Sequence, residues 1–148
     1  RSPVPGGGET MSIPRFLLAT ILSALVMLAL WWLWHMSFMA TLYAEHTALP
    51  RDVPLTRITV LGYFLLALLM AYIYPKGYTG ADPLAEGLRF GALMGVLSTL
   101  PRSLILYGIE GGHTGTLVIV DASWHIIEQG IGGLVIALLY GRYSWLRD

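Results

Sequence analysis

Asp121, His125 and Glu128 follow one another at spacings of four and three residues inside an otherwise apolar run. On a helix that spacing sets all three side chains on one face, and Gly132 continues the stripe. Two carboxylates and an imidazole on one face can hold a proton, pair with a cation, or coordinate a metal. Counted from Thr116 at the helical rise, Asp121 lies about 8 Å, His125 about 14 Å and Glu128 about 18 Å along the helix, so Glu128 falls near its midpoint.

Further polar groups occur at matching depth on other apolar segments. His35 lies five residues before the end of the first, Tyr63 about five residues into the second, and Arg102 about seven before the end of the third. One layer is therefore expected to gather His35, Tyr63, Arg102, Asp121 and His125, with Glu128 beneath. The expected ion pair is Arg102 with Asp121, because a guanidinium grips a carboxylate at two points. That leaves Glu128 protonated, paired with His125, or occupied by a ligand. Three readings stay open: a structural polar network, a site for a small polar solute, proton or ion, and a metal site of His35, His125 and Glu128. His-x-x-Glu presents two ligands on one face but lacks the spacing of a known zinc signature. Ser98 and Ser123 come with no nucleophile elbow or ordered triad, so no catalytic residue is expected.

The elements that position these groups are helices long enough for a bilayer. The chain has 148 residues, 55% hydrophobic and only 12% charged. Soluble domains carry about 25% charged residues, so an aqueous surface could not be covered. The expected fold is all-α, an integral membrane four-helix bundle with helices over about 16–39, 58–74, 84–109 and 116–140. A flexible tail is expected over 1–15, where Met11 reads as a natural start, and a short tail over 142–148. A polar loop is expected over 40–57. Pro75 should stop the second helix, and Asp82-Pro83 should cap the third. Zero net charge and no basic block exclude a nucleic-acid partner, and the lack of cysteine excludes disulfides and thiolate chemistry.

Four spans put the two termini on one side. That side holds Arg1, Arg15, Lys76, Arg89, Arg142 and Arg147, against Arg51 and Arg57 opposite. The bias places both termini in the cytoplasm. Tyr72, Tyr74, Tyr78, Tyr140, Tyr143 and Trp145 fall at the same face, as an interfacial aromatic belt should. Glu86 and Arg89 are expected to form a surface pair, and His46 and His113 to lie in loops.

Gly87, Gly91 and Gly95 recur every four residues in the third helix, and Gly130, Gly132 and Gly133 lie in the fourth. Small residues so spaced let helix backbones approach in lipid. They serve either packing within the bundle or an interface with another membrane protein or a second copy.

The runs VDASWHIIEQGIGGLVIALLYG and GYFLLALLMAYIY, with the glycine-rich third helix between them, resemble the bacterial domain-of-unknown-function 1761 group of small four-helix membrane proteins. The resemblance covers about residues 12–141, and Asp121 and His125 match the group's aspartate and histidine in the last helix. It implies a bacterial inner-membrane protein of four helices, and no activity, cofactor or substrate. The functional expectation is a non-enzymatic accessory or structural subunit packing against a larger membrane complex, in contact with lipid. The alternative is a protein that binds or transports a small solute, proton or ion through the polar cluster.

Overall fold

The structure, a computed structural model, describes residues 12–46, 53, 55–77, 79 and 82–141. Arg1, Arg51, Arg142, Arg147, Tyr78, Tyr143 and Trp145, counted above for orientation, lie outside the described residues, as do most of both expected tails.

The described chain is all-helical: α1 (Ile13–Trp32), α2 (Ala40–His46), α3 (Thr56–Gly77), α4 (Pro83–Ile109) and α5 (Gly115–Gly141). Four segments are long and apolar enough to cross a membrane: Ile13–Phe38, Thr56–Gly77, Pro83–Ile109 and Gly115–Tyr140. Their outward faces are apolar. Leu61, Leu93 and Leu97 are 63%, 65% and 64% exposed, a surface that suits hydrocarbon as its solvent.

α1 begins before the expected position. Ile13, Pro14 and Arg15 form its first turn, with Ser12 ahead of them. Proline fits there because the first amides of a helix have no partner within it. Over Leu33–Phe38 the helix widens to a π-helix, and Met39 N donates to Trp34 O at 2.8 Å. Such widening accommodates an extra residue and turns the side chains around it. The chain then bends at Met39 into α2, where a loop was expected.

α3 runs past Pro75 to Gly77 rather than stopping at it. Proline has no N–H, so the Ala71 carbonyl one turn back loses its helical donor. The Tyr140 hydroxyl of α5 donates to that carbonyl at 3.1 Å and replaces it. α4 starts as Asp82-Pro83 predicts, with the Asp82 carboxylate accepting from Ala85 N at 3.1 Å. Glu86 accepts from the Thr79 backbone amide at 2.6 Å and hydroxyl at 3.0 Å. It thereby ties the preceding loop to α4, and the expected pair with Arg89 does not form.

α5 is the centre of the bundle. It packs along α4 on one side and α1 on the other, α1 packs on α3, and α3 meets α4 only slightly. Toward the terminal end the centre is an apolar plug that includes Ala19, Met27, Ala67, Met70, Ile136 and Ala137, all fully buried. Tyr74 closes it, edge-on to Phe90 and tilted against Tyr140.

The α4–α5 seam is backbone against backbone. A β-carbon at Gly87 would meet Ala137 Cβ at 2.6 Å and Gly133 O at 2.8 Å, and one at Gly133 would meet Gly87 O at 2.5 Å. At Gly91 and Gly95 the obstacles are the carbonyls of Gln129 and His125. Gly132 faces α1 instead, where a β-carbon would lie 2.6 Å from Met27 Sδ. Gly130 departs from the expected packing role: nothing lies closer than 3.9 Å to a β-carbon there.

The glycines therefore differ in what they tolerate. Gly91→Ala should destabilise the protein by about 1–3 kcal/mol through overpacking. Gly130→Ala should be neutral, or gain up to about 1 kcal/mol from helix propensity. Thermal unfolding of the purified variants in detergent checks this, and equal effects at both positions would contradict the seam.

Candidate functional site: a polar cluster at the α2 end

Glu128 is the middle residue of α5 and is fully buried. Tyr63, on the first half of α3, donates its hydroxyl to Glu128 Oε1 at 2.9 Å. The second oxygen, Oε2, is also buried and accepts no hydrogen bond. One turn toward the α2 end, His125 Nε2 stands 3.9 Å from it. That is beyond hydrogen-bond reach.

Asp121 lies one further turn along. Its Oδ1 accepts from the Tyr43 hydroxyl at 2.7 Å and stands 3.9 Å from both His35 Nε2 and His125 Nδ1. Tyr43 belongs to α2, and the bend at Met39 is what carries it over the cluster. Burial, and then the hydrogen bond to Asp121, push the Tyr43 phenol well above its ordinary range, which keeps it a donor. α2 is fastened a second time by His46, whose Nδ1 lies 3.2 Å from the Thr114 hydroxyl. The same hydroxyl caps α5 by accepting from Leu117 N at 3.2 Å. His46, expected in a loop, thus ends α2 and is tied to Thr114.

Both histidines are oriented by their own helices. His35 Nδ1 donates to Trp31 O at 3.1 Å, and His125 Nδ1 donates to Asp121 O at 2.8 Å. Aromatic rings close the surroundings. His35 lies 4.4 Å from Tyr43 and 5.7 Å from Trp31, ring centre to ring centre. Trp34 stacks on Trp124 at 4.2 Å with planes 2° apart, fastening the π-helical turn to α5. A cleft of about 190 Å³ opens beside the cluster, lined by Thr59, Gly62, Tyr63, Leu66 and His125. Gly62 leaves it open, since no atom lies within 4 Å of where a β-carbon would sit.

Of the residues expected to meet, the structure brings together His35, Tyr63, Asp121, His125 and Glu128, and it leaves Arg102 out. Arg102 is exposed on α4, and the expected pair with Asp121 is absent. The α4 residues turned inward advance by fours, from Gly91 and Gly95 to Thr99 and Ser103. Each such step drifts around the helix by about 40°, and by Ser103 the row has moved past Arg102. The place expected for the guanidinium is filled by Tyr43, which lay in an expected loop. Its hydroxyl, near the end of a tryptophan-rich helix, was a signal only if that loop was helical. Sequence reading also missed Gln129, fully buried, whose Nε2 donates to Ser98 Oγ at 2.9 Å and locks α5 to α4 beside Glu128. Among the described residues, no three His, Asp or Glu side chains are placed to hold one metal ion. The metal candidates His35, His125 and Glu128 therefore do not share a coordination centre.

Comparison with protein-family models, with curated proteins and with solved structures finds no match to this chain. The functional reading rests on the geometry.

Tyr63→Phe should leave buried Glu128 without a donor and destabilise the protein by about 1–3 kcal/mol. Arg102→Leu should change stability by no more than about 0.5 kcal/mol, as for an unpaired exposed residue. Unfolding in detergent measures both. A loss of about 3–5 kcal/mol for Arg102→Leu would restore the Arg102–Asp121 pair.

Proposed function

We propose that this chain is a small, non-enzymatic integral membrane protein that binds a small polar solute, proton or ion in the cluster around Asp121, His125 and Glu128. The observation that carries the reading is Glu128 Oε2: a carboxyl oxygen at the centre of the bundle, without a hydrogen-bond donor, one turn from a histidine that lines a cleft. Ionisable groups inside a bilayer are rare and mark binding sites or pathways. A network serving structure alone would be expected to supply that oxygen with a donor, as it does for Oε1 through Tyr63. The apolar plug on the terminal side of Glu128 argues for a site entered from the α2 end rather than a continuous path.

In the proposed orientation both termini face the cytoplasm of a bacterium. Arg15, Lys76 and Arg89 at the terminal end, against Arg57 at the other, support it. The proposed kinship with the domain-of-unknown-function 1761 group belongs to the same reading and supplies no activity.

The accessory-subunit reading has its own support. α4 packs almost only on α5 and carries exposed Arg102 within a spanning segment. A guanidinium at that depth is served by snorkelling or by a partner's carboxylate.

Thermal unfolding across a panel of small cations, anions, amines and neutral solutes, repeated at several pH values, tests the proposal. A ligand at a hundred times its Kd should stabilise the wild type by about 2.7 kcal/mol and have little effect on Glu128→Gln. If no solute or pH change acts through Glu128, while a larger membrane protein co-purifies in fixed ratio, the chain is a subunit and the cluster is structural.

A further inference from the structure

Resting on the binding-site reading, we infer that the cluster takes ammonium or a small primary ammonium ion, a cation recognised by its N–H donors. The hydrogen-bond inventory of the site leads there. A backbone carbonyl can only accept, so the bonds to Trp31 O and Asp121 O assign the protons of His35 and His125 to Nδ1. With the proton on Nδ1 alone, each imidazole turns a bare Nε2 lone pair toward a carboxylate: His35 toward Asp121 Oδ1 and His125 toward Glu128 Oε2, both at 3.9 Å. In that tautomer these are two gaps with an acceptor on each side and no donor between. The occupant must bring donors of its own.

Charge gives the same answer for the same tautomers. Asp121 and Glu128 face the cluster, and the lysines and arginines of the described residues form no ion pair with either. Tyr43 and Tyr63 supply one donor each, and each is already committed to a carboxylate oxygen. With both imidazoles singly protonated, the unmet need is for positive charge carrying several hydrogen-bond donors.

The surroundings separate an ammonium from a bare metal ion. No three ligating side chains converge on one point among the described residues, whereas an ammonium group can distribute its hydrogens between separate acceptors. Rings line the neighbourhood as well: Trp31 lies 6.2 Å from Tyr63 and 5.7 Å from His35, and Tyr43 closes over His35 at 4.4 Å. Aromatic faces attract ammonium ions more strongly as water is removed. The cleft beside Tyr63 and His125, about 190 Å³, has room for a small amine.

Isothermal titration of the purified full chain in detergent, with chloride salts at millimolar concentration, tests the inference. Ammonium and methylammonium should bind. Potassium has the charge without the hydrogens, and tetramethylammonium has the charge and the nitrogen without N–H, so both should bind at least roughly tenfold more weakly. Glu128→Gln should weaken methylammonium binding by a similar factor. Should that variant fail to fold, the comparison of salts on the wild type decides alone. Equal binding of potassium and ammonium overturns the inference in favour of a site that reads charge only. If neither ammonium ion binds, while another solute or a pH change acts through Glu128, the inference fails and the binding-site reading stands. If nothing acts through Glu128, both fail.

Discussion

A carboxyl group fully buried in the middle of a helix long and apolar enough to cross a membrane has no water to turn to, and the surrounding helices must meet its needs or leave them to a ligand. Glu128 imposes that condition on three elements at once. α3 supplies Tyr63 to one oxygen, and α5 supplies His125 one turn away. α4 is drawn so close at this level that Gly91 lies against the Gln129 carbonyl. Polar groups left unmet in hydrocarbon cost several kcal/mol each. The same accounting explains the departure at Pro75, where Tyr140 replaces the missing amide donor and lets α3 continue.

The two halves of the bundle have different chemistry because they meet different demands. The terminal half is a plug of alanine, methionine and aromatic side chains that fixes helix spacing. The α2 half is polar, contains the π-helical turn and the bend at Met39, and is held by hydrogen bonds from α2 to α5. The irregular backbone falls beside the polar cluster, and π-helical turns often occur next to such groups.

Much of this was legible in residue order because lipid makes composition and spacing strict. Long apolar runs gave four helices, the spacing of Asp121, His125 and Glu128 gave their shared face, and Asp82-Pro83 gave a start that the Ala85 amide reports directly. Depth along each helix also placed His35 and Tyr63 in the same layer. What could not be read was rotation. Arg102 sits at the expected height on α4, yet the inward row drifts past it, and no count of residues reveals a drift set by two backbones in contact. Nor could a sequence period reveal α2, which is seven residues long and owes its place to Asp121 and Thr114. Gly130 shows a related limit: a glycine beside a packing stripe looks the same in sequence as one within it.

The central position of α5 has a consequence for how the chain must be assembled. α5 leaves the ribosome after α1, yet α1 depends on it for one of its two main neighbours. Until α5 arrives, α1 has α3 as its one main helical neighbour. α4 and α5, joined by a short turn and matched glycine to glycine, are suited to enter the bilayer as a paired hairpin. A chain cut short before that hairpin would keep two helices that can each span a membrane but would lose the surface that organises them.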